Sequence, residues 1–229
     1  MSRSLRDAKS FRSRQFATNV YESLLGAARD AGGLLYGTLA EGPIMAPMTS
    51  ERPAGPVRLR AFVEDDLPFL DRLCTDPDML GEFEWPGFTD PRTQRKRWEN
   101  DGYISAEASA VAVVREDGVV IGLVTWTPCG FPSGVSYEIG VGIAPEHRGQ
   151  GFGTAAQDLL VDYLLDHTTA HRIEARTNDA NIGEQKALER IGFRQEGLMR
   201  GRSFLRGKYV GVLVYGLLRE ERRPQGDPA

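Results

Sequence analysis

The apolar positions change period several times along the chain, and each change marks an element. Val57–Phe62 alternates apolar with basic residues, the pattern of a half-buried strand. Glu64, Asp65 and Asp66 follow where a helix N-terminus favours acids, and Leu67, Leu70, Leu73 and Cys74 recur behind them at helical spacing. The loop-rich stretch Asp76–Pro91 carries Phe83, Trp85 and Phe88 and leads to a short charged helix near Thr93–Asn100. Ala110–Arg115 and Val119–Thr127 flank Asp117-Gly118, a pair suited to a tight turn with positive φ, and so predict a β-hairpin. A Pro/Gly loop over 128–134 precedes a strand at Val135–Ile143. A helix is expected from about Gly151 to His167, striped by Leu159, Leu160, Tyr163 and Leu164. Arg172–Thr177 predicts a strand, and Asn181–Arg190 a helix stopped at Gly192. Gln195–Arg202 and Val210–Leu218 predict two strands able to pair. The order β-α-α-β-β-β-α-β-α-β-β is that of an α+β layer on a mixed sheet.

The ends differ from this middle. Residues 3–14 mix Arg and Lys with serines, and Phe16, Val20, Leu24 and Ala28 then recur every four residues, as on an amphipathic helix. Residues 42–56 form a Gly/Pro/Met run without period, a linker. The expected organisation is an N-terminal extension at 1–56, one domain at 57–221 and a flexible tail at 222–229. For the extension, three readings stay open. It is a helix docking on a partner or on the domain, a transit-like peptide, or sequence upstream of a start at Met45 or Met48.

Composition narrows the class. An apolar fraction of 41% in 229 residues supports a real core and excludes full-length disorder. The formal charge of −4 argues against broad nucleic-acid affinity. No stretch approaches the roughly 20 apolar residues of a membrane span. Cys74 and Cys129 have neither metal-ligand spacing nor the density of a secreted framework, so the expectation is a cytoplasmic protein without a metal. His167 and His171 stand four apart but lack the intervening Glu of a zinc helix. Lys occupies only positions 9, 96, 186 and 208, so the abundant Arg reflects composition and each one is judged by position.

The chemistry concentrates at Val141–Thr154. A strand feeds a turn with glycines at 149, 151 and 153, and a helix opens there. Closely placed glycines let backbone N–H groups approach an anion, and the helix N-terminus adds its positive end. Arg148 adds a charge suited to phosphate oxygens. The combination predicts a pyrophosphate cradle from Arg148, Gly149, Gln150, Gly151, Phe152, Gly153 and Thr154. The dinucleotide spacing is absent, and no Gly-Lys-Ser/Thr follows, which excludes a P-loop. The bland alternative is a glycine turn that merely joins strand to helix.

Arg148-Gly149-Gln150-Gly151-Phe152-Gly153 resembles the pyrophosphate motif of the GNAT N-acetyltransferase superfamily: Gln or Arg, two residues, Gly, one residue, Gly or Ala. Tyr137–Gly140, His171–Ala175, Asn181 through Gly192-Phe193, and Leu217–Glu221 are similar to segments of its RimJ/RimL-like branch. The resemblance covers about residues 57–221. It implies a mostly antiparallel mixed sheet with flanking helices, its fourth and fifth strands splayed apart. It implies acetyl-CoA as cosubstrate, a small-molecule or peptide amine as acceptor, and often a homodimer. Backbone groups at Val141 and Ile143 would hold the pantetheine arm, Asn181 would touch it, and Lys186 is a further candidate for the cosubstrate. Without the family, Asn181 and Glu184 form a capping-box pattern, and Lys186 reads as a solvated helix charge.

An amine must be neutral to attack the thioester, and free amines titrate at roughly 8 to 10.4. Glu138, in a mainly apolar strand, is the candidate general base; its alternative is a structural ion pair. Leu188 stands where many members carry a Tyr as general acid, which leaves Tyr137, Ser203, Tyr209 and Tyr215 as weak substitutes. By analogy of position, the resemblance implies an acceptor pocket involving Phe83–Phe88 and the 128–134 loop, with Glu84, Trp85 and Phe88 as candidate contacts, and Glu82, Glu84 and Asp101 would favour a cationic acceptor. The expected function is acetyl transfer to a small-molecule amine, such as an antibiotic or metabolite. The alternatives are acetylation of a protein α-amino group, or a CoA- or drug-binding module without turnover.

Overall fold

The computed structural model describes residues 57–84, 87–130 and 134–222. Its strands are β1 (Val57–Arg60), β2 (Ser109–Arg115), β3 (Val120–Cys129), β4 (Ser136–Ile143), β5 (Arg172–Asn178), β6 (Arg194–Leu205) and β7 (Lys208–Leu218). The helices are α1 (Leu67–Thr75), α2 (Arg92–Asp101), α3 (Phe152–His167) and α4 (Ile182–Ile191). One seven-stranded sheet runs in the order β1-β2-β3-β4-β5-β7-β6. Every neighbouring pair is antiparallel except β4 and β5. The sequence therefore predicted the order and type of the elements; boundaries shifted by a few residues, most of all in the longer β6–β7 hairpin.

Helices cover both faces of the sheet. Val111 and Val113 of β2 point into a core shared with Leu160, Val161 and Leu164 of α3 and Leu188 of α4. Ala110, Ala112 and Val114 point the other way, toward Leu67, Leu70 and Leu73 of α1 and Tyr103. A strand buried on both sides needs an unbroken apolar run, which Ala110–Val114 supplies. The C-terminus of α4 is closed by Gly192 in the left-handed conformation, at φ 111°.

β4 and β5 pair over only four positions, from Ser136↔Arg172 to Ile139↔Ala175. Beyond Ile139, β4 stays bonded to β3 as far as Gly122↔Ile143, while β5 stays bonded to β7 as far as Asn178↔Val212. Each strand follows its antiparallel partner, and the sheet opens between them. Gly122 permits the close β3–β4 approach, because a Cβ there would collide with the Gly142 carbonyl oxygen and the Ile143 side chain.

The expected tail begins with an anchored residue. Arg222 reaches Asp158 at 2.7 Å and Asp162 at 2.6 Å on α3, and donates to the Ile191 carbonyl. It is the C-terminal clasp of the domain; positions beyond it, and the expected extension at 1–56, lie outside the described residues. No described helix is long and apolar enough to cross a membrane, and no three metal-ligating side chains cluster among the described residues.

Candidate active site

The opening between β4 and β5 is a cleft of ≈ 480 Å³. Ile139–Ile143 of β4 forms part of its lining, and Arg176 and Thr177 of β5 form another part. The glycine turn meets it next, with Gly149, Gly151, Phe152, Gly153 and Thr154 in the lining. Gly149 and Gly151 adopt φ 72° and 83°, and a Cβ on either would meet open space. Only glycine holds this backbone without strain, and the first turn of α3 keeps N–H groups without helical partners. This is an anion-binding geometry at the end of an open cleft. A pyrophosphate and its extended arm fit the cradle and the cleft that continues from it.

Arg148 lines the cleft and is also tied to the backbone. Its guanidinium donates to the carbonyls of Ile143 (2.8 Å), Asp78 (2.7 Å) and Met79 (2.8 Å). It staples the end of β4 to the 78–79 turn, so its phosphate-binding capacity is largely taken up by backbone. Gln150 also turns aside, its amide resting 3.4 Å from the Glu146 carbonyl, and it is not part of the lining. The cradle consists of backbone groups more than of these two side chains.

Asn181 is both cap and cleft residue. Its Oδ1 accepts from the Glu184 backbone N–H at 3.3 Å, and it lines the cleft. The capping box is only half made, because the Asn181 N–H goes to the Asn178 carbonyl and the Glu184 carboxylate goes to Gln157. Lys186 is exposed outside the lining; the basic residue of α4 that does line the cleft is Arg190.

A smaller pocket of ≈ 90 Å³ shares Phe83, Glu84, Arg176 and Thr177 with the cleft. Glu138 lines it, with Met199, Arg202, Ser203 and Val212. Glu138 is buried and pairs with Arg176 at 3.1 Å. The ion pair expected as the alternative is present, and Glu138 with Arg176 lines the smaller pocket where it meets the cleft. The charges continue from Arg176 to Glu174, to Arg172 and to Glu196 on β6. Gly216 of β7 makes the last step possible, since a Cβ there would collide with the Arg172 and Glu196 side chains.

The acceptor residues are redistributed. Glu84 lines both pockets, and Phe83 takes the aromatic place beside it. Phe88 is 76% exposed and lines neither pocket. Trp85 and residues 131–133 of the expected acceptor loop lie outside the described residues. Asp101 ends α2 away from both pockets, accepting from the Tyr103 N–H. Among the expected proton donors, Tyr215 is fully buried, Tyr209 is 75% exposed, Tyr137 is half-buried outside the smaller pocket, and Ser203 alone lines that pocket. Leu188 is core. Arg176 and Thr177 were missed as site residues. The available signal was Arg172, Glu174 and Arg176 at period two, three charges on one face of a central strand.

An open parallel strand pair, a glycine turn at its mouth and a buried acid at its inner end define an acyltransferase of the thioester-using kind. Comparison with known proteins gives the family. Residues 57–194 match the Acetyltransferase (GNAT) domain model, more than half of the chain, and the chain belongs to that family. A protein from Bacillus licheniformis described as "Uncharacterized N-acetyltransferase p20" is 29% identical over 170 residues, spanning 71% of this chain and 93% of its own. The solved GNAT acetyltransferase of Bacillus anthracis matches with a TM-score of 0.63 at 20% identity, covering 73% of this chain and 98% of that one. The spermidine N-acetyltransferase of Vibrio cholerae, solved with CoA and spermine, matches with a TM-score of 0.65 at 24% identity over the same shares. The protein is a GNAT N-acetyltransferase.

Proposed function

We propose that the protein moves an acetyl group from acetyl-CoA to a primary or secondary amine of a small molecule. The observation that carries this reading is the continuity of the two pockets through Arg176 and Thr177. The backbone N–H groups of Gly149–Thr154 hold the pyrophosphate, and the unpaired edge of Val141–Ile143 holds the pantetheine arm. The thioester then lies at the junction and the amine approaches from the smaller pocket. Positioning supplies most of the rate, since the acyl group is already activated.

Glu138 accepts the proton of the attacking amine, directly or through one water. Arg176 offsets its buried charge and holds its carboxylate toward the junction. Ser203 and Thr177 are the hydroxyls placed to return a proton to the departing thiolate. The Vibrio neighbour, a polyamine enzyme, supports a small-molecule acceptor, as do Glu84 and Glu138 in the lining. Arg176 and Arg202 in the same lining favour an acceptor that is not a bare polycation. The RimJ/RimL-like reading, acetylation of a protein α-amino group, requires a peptide to enter this pocket.

The test is thiol release from acetyl-CoA with polyamines, amino acids, aminoglycosides and short peptides as acceptors. Turnover with one small-molecule class is expected. Turnover with peptides alone overturns the small-molecule acceptor, and tight CoA binding without any turnover overturns the proposed acetyl transfer.

A further inference from the structure

Glu184 occupies the first turn of α4 and lines the larger cleft, yet the mechanism above makes no use of it. Its carboxylate accepts from Gln157 Nε2 at 3.4 Å. Gln157 is fully buried, and its amide also leans on the Gly153 carbonyl one turn back in α3. Thus a carboxylate stands beside the helix turn that forms the anion cradle, held by a neutral amide. No ion pair among the described residues includes it.

The surrounding charges are occupied elsewhere or carried by other walls. On β5, Arg176 pairs with Glu138 and Glu174. Before α3, Arg148 is held by three carbonyls, and on α3 Asp158 and Asp162 bind Arg222. On α4 itself, Arg190 lines the cleft and Lys186 is exposed outside it. His147, Glu82 and Glu84 complete the ionisable lining, and β4 contributes only uncharged Ile139–Ile143. An incoming diphosphate would add like-charge repulsion to the desolvation of an ionised Glu184. The protonated acid escapes both costs, and its O–H can donate to the ligand.

We propose that Glu184 is a cosubstrate-binding residue that must be a neutral carboxylic acid in the complex, so that binding acetyl-CoA takes up one proton there. The inference rests on the reading that this cleft holds acetyl-CoA. Burial pushes the carboxyl up to about 7, with the Gln157 amide opposing, so both forms are present near neutral pH.

Binding of acetyl-CoA without acceptor is measured by calorimetry from pH 6.5 to 9, in two buffers of different ionisation heat. The expected Kd is flat below about pH 7 and rises about tenfold per pH unit above it, with close to one proton taken up per ligand at pH 8.5. Glu184→Gln, which keeps the neutral shape, binds as the wild type does at low pH and loses the slope, although His147 is unchanged. Acetyl-dephospho-CoA keeps the slope, since it lacks the phosphate monoester that titrates at about 6. A slope that survives in E184Q, or one that vanishes with the dephospho ligand, overturns the proposal. So does wild-type binding without proton uptake, a measurement that decides the matter even where E184Q fails to fold. Acetyl-CoA that binds at no pH overturns the cosubstrate reading instead.

Discussion

The smaller pocket and the larger cleft are each lined by a glutamate, one buried (Glu138) and one half-buried (Glu184), and the fold treats the two in opposite ways. Glu138 meets a guanidinium at 3.1 Å. Glu184 meets a side-chain amide at 3.4 Å. A buried charge is tolerated when a cation compensates it and is resisted when only a neutral dipole is present. One residue type thus stands in an ion pair in the smaller pocket, and in the larger cleft against a neutral amide, where burial pushes its carboxyl up to about 7. The environment, more than the residue, assigns the role.

The comparison breaks most visibly at Glu138. Glu138→Gln removes the proposed base while keeping the shape, so kcat is expected to fall about 100- to 10,000-fold with the Kd for acetyl-CoA retained. Steady-state rates and a binding titration check it, and an unchanged rate across pH removes Glu138 from the proton transfer.

Arg176→Gln takes away the feature that distinguishes the two sites. It leaves Glu138 buried without this cation, and a loss of about 3–5 kcal/mol of stability is expected in urea unfolding. A double variant with Glu138→Gln should recover much of that loss.

At Glu184 the sign reverses. Its carboxyl is raised in the folded state, so ionising it opposes folding. The opposition sets in above the ordinary carboxyl value, grows as pH rises, and is complete above about 7. Glu184→Gln should therefore stabilise the protein by about 2–3 kcal/mol at pH 8 and by much less at pH 5. Melting curves at the two pH values check the difference; a stabilisation equal at both refers it to packing.

The smallest effect concerns the cradle. Gly151 sits at φ 83°, where an L-residue is strained, so Gly151→Ala should cost about 1–2 kcal/mol in unfolding experiments. It should also weaken acetyl-CoA binding while leaving both glutamates as they are.

The glycine turn and the cap at Asn181 were legible because each depends on neighbours in sequence. A strand-turn-helix junction with glycines at 149, 151 and 153 carries its geometry locally, and so does an Asn before a helix. Arg148 was legible as a cation but not as a staple, because its partners Asp78 and Met79 lie about seventy positions away. Lys186 and Arg190 are alike as helix charges until the packing of α4 places Arg190, and not Lys186, in the cleft wall. Phe83 and Phe88 look alike as aromatics of one stretch, and only the folded chain places Phe83, and not Phe88, in the pocket linings.

Period and turn chemistry along the chain determined the elements, their order and the glycine turn, since helices, strands and glycine turns respond to residues a few positions apart. The tertiary structure alone decided which charges meet. The β4–β5 pairing sets Glu138 against Arg176 across strands far apart in sequence. The packing of α4 on α3 leaves Glu184 with Gln157 and no cation. The protonation state of a carboxyl depends on such through-space partners and on burial, and neither is written in the spacing of a sequence.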